Sequence, residues 1–237
     1  MNDALWKLLT ESRNTIAFTG AGISTLSGIR DFRGANGVYL QPWHGKQVEE
    51  ILSLDCFLED PGLFYRWAEE FIYRLDDFRP AAVHRALAGL EAHGMLHCVY
   101  TQNIDLLHQK AGSKAVFELH GSIYRNYCEK CGKFYPPEYI RDSDGVPRCT
   151  CGGRIKPDVV LYEESLDQKV IEGAVRAIAD AEVLIVGGTS LTVYPAAGLI
   201  RYYRGNKLVL INRDETPYDG YANLIFRDPI GKVLGAV

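Results

Sequence analysis

Two closely spaced cysteine pairs carry the clearest chemical signal in the sequence. Cys128 and Cys131 have two residues between them, and Cys149 and Cys151 follow with a single residue between them. Four thiolates in two such pairs can bind zinc tetrahedrally, and neighbouring glycines let the chain curl around the metal. Because no histidine or carboxylate is placed to leave a coordination position open, the pattern favours one structural zinc ion over a catalytic one.

A glycine-rich run, 19–28, follows an apolar run and leads toward a predicted helix. Gly20 and Gly22 would allow the backbone to turn tightly and approach a pyrophosphate, which free N–H groups and a helix dipole stabilise. The glycine spacing differs from the G-x-G-x-x-G of dinucleotide-binding loops, so a purely structural turn is the alternative. Phosphate binding is favoured because the run comes directly after a predicted strand.

The segment 28–34 combines charged and aromatic residues directly after that run. Arg33 could pair with a phosphate, and Phe32 could cover a planar ring. Charged side chains in a loop are usually only solvated, which is the alternative here. The position after a phosphate-binding loop predicts a lid over the ligand.

Polar residues follow two other apolar runs, where parallel strands would present a ligand site. Asn103 and Asp105 come after 96–101 and could hold an amide-bearing ligand, although Asp105 could equally cap the next helix. His120 follows 116–119, and the glycine after it is expected to open space beside the ring. A lone histidine is usually structural, but His120 is the best placed of the six histidines to act as a general base.

The second half of the chain repeats this arrangement. Small residues at 188–190 follow the apolar run 183–186, and Asn212 ends the run 207–211, where it could bind a ribose or adenine. Either strand end could be a simple turn, but together with the glycine-rich run they favour an extended nucleotide as ligand. The extended run 156–162 could accept a peptide as an added strand, or could be an ordinary sheet edge.

The elements that must position these residues alternate along the chain. Predicted strands at 15–19, 96–101, 116–119, 183–186, 207–211 and, more weakly, 223–226 alternate with helical stretches, notably 80–93, 104–111 and 166–181. Continuously apolar strands predict a parallel sheet covered by helices on both faces. Two segments break the alternation: 33–79 resembles an insertion with a helical pattern near 64–75, and 122–156 resembles a small metal-stapled module.

Composition limits the class of protein. The 237 residues carry a formal net charge of −4, which argues against a broad basic face for nucleic acid. The N-terminus lacks the basic and apolar regions of a secretory signal, and no apolar run is long enough to cross a membrane. We therefore expect a cytoplasmic protein that contacts neither membrane nor nucleic acid directly, with Cys56 and Cys98 as buried apolar residues.

The motifs, in their order, resemble those of bacterial-type sirtuins, the Sir2 family of NAD-dependent protein deacylases. The resemblance spans nearly the whole chain and includes 19–24, 28–34, 101–105, His120-Gly121, both cysteine pairs, 188–190 and 211–212. It implies a Rossmann-like NAD-binding domain formed by 1–32, 80–121 and 157–237, a helical insertion at 33–79 and a zinc ribbon at 122–156. It further implies a monomer that consumes NAD, holds one structural zinc ion and acts on acyl-lysine proteins or peptides.

The resemblance also assigns roles by position. His120 would be the catalytic base with Asn103 as a second catalytic residue, and the segment 159–162 would pair with the substrate backbone through Val159, Val160, Leu161 and Tyr162. The family moves the acyl group from lysine to ADP-ribose and releases nicotinamide, while the base takes a proton from a ribose hydroxyl. Residues implied to bind NAD are Gly20, Ala21, Thr25, Asp31, Phe32, Arg33, Gln102, Ile104, Asp105, Gly188, Thr189, Ser190, Asn212 and Ile230.

Several positions depart from the family pattern. Arg30 replaces a usual proline, which predicts a looser lid, and Ala81 replaces an asparagine. The Cys149–Cys151 spacing is one residue short of the usual pair, which puts the zinc geometry in question. The Tyr-x-x-Arg pair of sirtuins specialised for succinyl-lysine falls on Ala68 and Phe71, so we expect an apolar acyl pocket that favours acetyl groups.

Three other functions stay open from the residues alone. The first is a mono-ADP-ribosyltransferase on the same fold, the second a dehydrogenase, and the third a non-catalytic sensor of NAD or O-acyl-ADP-ribose. The glycine spacing counts against a dehydrogenase. A base at His120, beside Asn103 and Asp105, counts against a sensor.

Overall fold

The computed structural model describes residues 2–34, 37–74 and 78–235. Its strands are β1 (Thr15–Thr19), β2 (Cys98–Thr101), β3 (Val116–Glu118), β4 (Gly121–Cys128), β5 (Phe134–Tyr135), β6 (Ile155–Val159), β7 (Val183–Gly187), β8 (Leu208–Ile211) and β9 (Leu224–Phe226). Its α-helices are α1 (Asp3–Glu11), α2 (Val48–Ile51), α3 (Leu54–Glu59), α4 (Pro61–Phe71), α5 (Ala82–Ala92), α6 (Leu107–Lys110), α7 (Pro137–Arg141), α8 (Gln168–Asp180) and α9 (Ile230–Val233).

Six strands form one parallel sheet in the order β3-β2-β1-β7-β8-β9. Thr19 at the end of β1 lies beside Thr101 of β2 on one side and Gly187 of β7 on the other. From β1 the chain adds β2 and then β3 on one side of the sheet, and later adds β7, β8 and β9 on the other side. The strand order therefore reverses between β1 and β7, which is where open α/β sheets bind ligands.

Helices cover both faces of this sheet, as the continuously apolar strands predict. Ile16 and Phe18 of β1 pack on one face against α8 and the 3₁₀-helix Ala196–Tyr202, while Ala17 packs on the other against α1, α5 and α9. Successive strand residues point to opposite faces, so β1 can be fully buried only between two layers. The predicted fold class is confirmed.

A second, smaller sheet is antiparallel, in the order β5-β4-β6. It shares one hydrophobic core with the helices α2 to α4, so the helical and cysteine-bearing segments pack as one body. Tyr65 of α4 donates a hydrogen bond to the carbonyl oxygen of Ile155 (2.5 Å), and Tyr73 donates one to Asn126 Oδ1 (2.9 Å). The division into three segments at 33–79 and 122–156 stays a prediction.

Some local expectations differ from the structure. The glycine-rich run forms two 3₁₀ turns, Ala21–Ile23 and Thr25–Ser27, rather than an α-helix. Helix α6 is shorter than the predicted 104–111 because Leu106 adopts a left-handed φ of 61° immediately before it. Cys98 is buried as expected, but Cys56 is only partly buried.

The helical pattern predicted at 64–75 is α4, which ends at Phe71, and position 75 lies outside the described residues. In the part of the chain that the structure describes, no helix is both long enough and apolar enough to span a membrane.

Candidate active site

The predicted site residues follow five neighbouring strands at the carboxyl edge of the parallel sheet. From one end to the other, this edge carries residues after β3, β2, β1, β7 and β8. Four strand spacings separate β3 from β8, or about 19 Å, which matches an extended dinucleotide better than a single phosphate.

Gly20 and Gly22 bring two strand ends into direct backbone contact. Gly20 N–H donates to Gly187 O (3.1 Å), and Gly22 N–H donates to Gly188 O (2.8 Å). A Cβ at Gly20 would lie 2.7 Å from the Thr189 Cβ, and one at Gly22 would lie 2.9 Å from the Gly188 Cα. The glycines are thus required first for close packing of the β1 and β7 ends, a reason that the sequence interpretation did not include.

His120 lies at the end of β3 with its ring held in one orientation. Its Nδ1 lies 2.9 Å from the carbonyl oxygen of Gln102 and must donate to it, because a carbonyl can only accept. In the neutral ring this leaves a lone pair on Nε2, and Nε2 has no hydrogen-bond partner among the described residues. Burial lowers the pKa of His120, and the hydrogen bond to Gln102 acts in the opposite direction.

Gly121 has a different role from the one expected. It adopts a left-handed φ of 72°, and a Cβ there would collide with the carbonyl oxygen of Asp158. Glycine is therefore required where β4 leaves His120 and passes close to β6. Opening space beside the imidazole is not its main role.

Asn103 and Asp105 converge on a serine that the sequence interpretation did not include among the site residues. Ser24 donates its hydroxyl proton to Asp105 Oδ2 (2.6 Å), and Asn103 Nδ2 donates to Ser24 Oγ (3.1 Å). Asp105 Oδ1 also accepts from the backbone N–H of Leu107 (2.9 Å), so the carboxylate is both a site residue and a local cap. Burial raises the pKa of Asp105, while both of its hydrogen bonds favour the ionised form.

The predicted lid residues contact one another and the segment after β6. The Phe32 and Tyr39 rings are 5.2 Å apart, and the Arg33 guanidinium lies 4.9 Å from the Tyr39 ring centroid. Arg33 also donates to the Tyr162 hydroxyl (3.0 Å), and Asp31 accepts from the backbone N–H of Gly34 (3.1 Å). The lid thus lies against the predicted peptide segment, and the Arg33 guanidinium contacts Tyr39 and Tyr162 rather than the glycine-rich run.

The remaining predicted NAD-binding residues line the same edge with differing contacts. Gln102 Nε2 donates to Thr189 Oγ1 (2.9 Å), which connects the ends of β2 and β7. Ser190 shares a hydrogen bond with Thr192 (2.8 Å), and Thr25 donates to Gly22 O (2.9 Å).

Three further predicted residues lie at the β8 end, beneath the edge, or against the core of the smaller sheet. Asn212 lies at the end of β8, where its Nδ2 donates to the carbonyl oxygen of Asp214 (2.8 Å). Ile230 is buried against Gly187 beneath this edge, and Ile104 packs against the core of the smaller sheet.

The predicted peptide segment 159–162 runs between His120 and the helical insertion. Val159 pairs with Gly121, Val160 N–H donates to His120 O (3.0 Å), and Tyr162 pairs in parallel with Ser53. Leu161 is buried. The segment that would bind substrate is thus hydrogen-bonded directly to the backbone of the candidate base.

The four cysteines of the two pairs come together at one end of the smaller sheet. Their Sγ atoms all lie within 4.8 Å of one another, and three neighbouring pairs are 3.5–3.6 Å apart. Tetrahedral Zn–S bonds of about 2.3 Å require S···S separations of about 3.8 Å, so the donor set fits a zinc ion. The short Cys149–Cys151 spacing does not prevent this arrangement.

Comparison with known proteins adds independent evidence. The model of the Sir2 family matches residues 20–195. An NAD-dependent protein deacetylase of Clostridium acetobutylicum is 52% identical over 98% of this chain and 96% of its own length. One of the same description from Thermotoga maritima is 45% identical over 92% of this chain and 89% of its own length.

Solved structures agree in fold. A structure of Sir2 with a p53 peptide and NAD⁺ superposes with a TM-score of 0.89, at 41% identity over 99% of this chain and 96% of that one. A structure of Sir2 bound to an acetylated peptide gives a TM-score of 0.86, at 39% identity over 99% and 96%. With a matching family model over most of its length and relatives of this similarity, the chain belongs to the Sir2 family.

Proposed function

We propose that this chain is an NAD-dependent protein-lysine deacetylase in which His120 is the catalytic base. The observation that carries the proposal is the orientation of His120. Its Nδ1 is committed to Gln102 O, which leaves the Nε2 lone pair without a partner among the described residues, on a ring that follows β3 at the carboxyl edge of the parallel sheet. The relatives described as NAD-dependent protein deacetylases support the same activity.

Bound NAD would supply the ADP-ribose that accepts the acyl group, with nicotinamide as its leaving group. Residues that follow β1, β2, β7 and β8 would hold it, with Thr189, Ser190 and Asn212 toward the adenosine half. His120 Nε2 accepts the proton of the ribose hydroxyl, while its Nδ1–H stays on the Gln102 carbonyl. Because Gln102 also holds Thr189, one residue connects the base to the cofactor edge.

Asp105 and Asn103 orient the nicotinamide end in this proposal. In its ionised form, which the hydrogen bonds from Ser24 and the Leu107 N–H favour, the Asp105 carboxylate would attract the positive charge of the nicotinamide ring and ribose; 5% of its surface is exposed. Its two oxygens are held by Ser24 and the Leu107 N–H, so it needs little reorganisation when the charge moves. Asp105 and Asn103 thus orient the nicotinamide end and provide a fixed negative charge near it, and neither forms a covalent bond with the substrate.

We infer that the substrate is an extended acyl-lysine peptide that pairs with the segment 159–162. Structures of Sir2 with an acetylated and a propionylated peptide support this class of ligand. The Val160 carbonyl oxygen accepts no hydrogen bond from the described residues, so it is available to a peptide strand. The proposed acting species is a monomer without nucleic-acid or membrane partners, and light scattering of the zinc-loaded protein tests its mass.

Nicotinamide release tests the proposed function. We expect release only when NAD and an acetyl-lysine peptide are both present, because the acyl oxygen is the nucleophile that displaces nicotinamide. The controls are unmodified peptide with NAD, and acetylated peptide without NAD. Release of nicotinamide without acylated peptide, accompanied by label transfer from NAD to protein, would instead indicate an ADP-ribosyltransferase.

We propose that α4 contributes a wall of the acyl pocket through Ala68 and Phe71, and that this wall sets the acyl preference. Ala68 is fully buried, and Phe71 stacks on Trp67 with ring centroids 5.2 Å apart. Neither Ala68 nor Phe71 can donate a hydrogen bond to an acyl carboxylate, whose desolvation would then be uncompensated. We expect kcat/KM for an acetyl-lysine peptide to exceed that for the succinylated peptide by about tenfold or more. Faster removal of succinyl than of acetyl groups would contradict this expectation.

A further inference from the structure

A buried histidine on α5 extends the Ser24 cluster beyond the residues proposed to contact NAD. His84 is completely buried, and its Nε2 lies 3.5 Å from Ser24 Oγ. Its ring packs edge to face against His108 at 5.1 Å, and His108 Nε2 lies 3.0 Å from Thr19 Oγ1. The pair therefore lies directly behind the glycine-rich run and the end of β1.

The tautomer of His84 follows from its other nitrogen. The backbone N–H of Ala81 donates to His84 Nδ1 (3.1 Å), so Nδ1 must be an unprotonated acceptor. Burial, together with the nearby positive charge of Arg85, lowers the pKa of His84 to about 4. In the neutral ring the single proton is consequently on Nε2, the nitrogen that faces Ser24.

The Ser24 hydroxyl then has one partner for its proton and one for each of its two lone pairs. Its proton is donated to Asp105, and its two lone pairs can accept from Asn103 Nδ2 and from His84 Nε2–H. Donors at 3.1 Å (Asn103 Nδ2) and 3.5 Å (His84 Nε2–H) on the acceptor side of Ser24 Oγ favour the rotamer in which the hydroxyl proton points at Asp105. The direction of the Ser24–Asp105 hydrogen bond is therefore set by His84 and Asn103 together.

We propose that His84 is a positioning residue of the reaction, whose Nε2–H holds the Ser24 hydroxyl so that its proton points at Asp105. This inference rests on the proposed function, because it assigns Asp105 to the nicotinamide end of NAD. The competing explanation is helix capping alone, since a side chain at this place in the first turn that accepts from the Ala81 N–H also satisfies an orphan donor of α5. The two explanations use different nitrogens of the same ring.

Two substitutions of His84 test the roles of its Nδ1 and its Nε2 separately. His84→Asn places an amide oxygen near the Nδ1 position and retains the acceptor for Ala81, but removes the donor toward Ser24. His84→Gln places an amide nitrogen near the Nε2 position and retains that donor, but loses the acceptor. His93→Asn, on an exposed residue at the end of the same helix, is the matched control.

We expect His84→Asn to lower kcat for deacetylation by about tenfold, the effect of one lost hydrogen bond, with the KM for NAD changed less than kcat. His84→Gln should stay within about threefold of the wild type and of His93→Asn, although it unfolds at a lower temperature. Retained activity in His84→Asn with loss in His84→Gln would assign the residue to capping and overturn the proposal. Equal activities in the two variants, whether high or low, would overturn it as well.

A measurement on the unmodified protein covers the case in which neither variant folds. Two-bond proton–nitrogen NMR spectra of ¹⁵N-histidine protein should show His84 protonated at Nε2 only, and protonation at Nδ1 would overturn the proposal. A wild type without acetyl-lysine-dependent nicotinamide release would overturn the proposed function, and with it this role of His84. Normal wild-type release with indistinguishable variants would overturn the His84 proposal alone.

Discussion

His120→Ala is expected to lower the rate of deacetylation by a factor of about 10²–10⁴, the range typical of one general base. The physical reason is that Nε2 is the one imidazole nitrogen available to accept a proton, since Nδ1 is committed to Gln102 O. Steady-state deacetylation of an acetyl-lysine peptide at saturating NAD measures the effect. Binding of NAD to His120→Ala, measured by calorimetry, should stay close to that of the wild type.

The pH dependence of the wild type gives an independent check on His120. A base must be unprotonated to act, and burial lowers the pKa of His120 from the ordinary histidine value. The acidic limb of kcat/KM should therefore be centred below about pH 6.5, the ordinary value for histidine, with activity lost as the pH falls through the lowered pKa of His120. A limb centred above pH 7, or full activity in His120→Ala, would show that another group is the base.

Removal of the zinc ion is expected to abolish activity and to destabilise the smaller sheet. Binding of zinc to small modules is coupled to their folding and contributes about 10–16 kcal/mol in isolated zinc fingers. Here β4 starts directly after His120, and β6 leads into the segment 159–162, so a loosened sheet releases both. Cys128→Ser should therefore lose zinc, unfold at a lower temperature and lose deacetylation together.

Cys56→Ser is the matched control, because Cys56 is a partly buried cysteine outside the four-cysteine cluster. It should retain one zinc ion per chain by metal analysis and keep its activity. Chelator treatment of the wild type should reproduce the effect of Cys128→Ser. Metal-free protein that keeps both its unfolding temperature and its activity would contradict a structural role for the site.

Much of the architecture could be predicted because it depends on local patterns. The run at 15–19 is continuously apolar at 16–18, which predicts a strand covered on both faces, and polar residues after such parallel strands are expected to meet at one edge. The two cysteine pairs likewise lie close together in the sequence, so their spacing alone predicts the zinc site. These signals come from residues close together in sequence.

The parts that were missed depend on contacts between distant segments. Ser24 meets Asp105 across 81 positions and His84 across 60, and nothing near Ser24 in the sequence indicates either partner. At Gly121 the structure adds a reason for glycine that the sequence does not indicate, because the close approach of Asp158 appears only when β4 and β6 pair. Burial of such polar groups is tolerated when they are hydrogen-bonded to one another, a property that composition does not encode.

The products of one turnover test the central claim most directly. Mass spectrometry of a reaction of zinc-loaded protein with NAD and an acetyl-lysine peptide should find deacetylated peptide, nicotinamide and O-acetyl-ADP-ribose in equal amounts. Equal amounts require that the acyl group passes from lysine to ADP-ribose in every turnover. Free acetate without consumption of NAD, or ADP-ribose attached to protein in place of O-acetyl-ADP-ribose, would contradict the account.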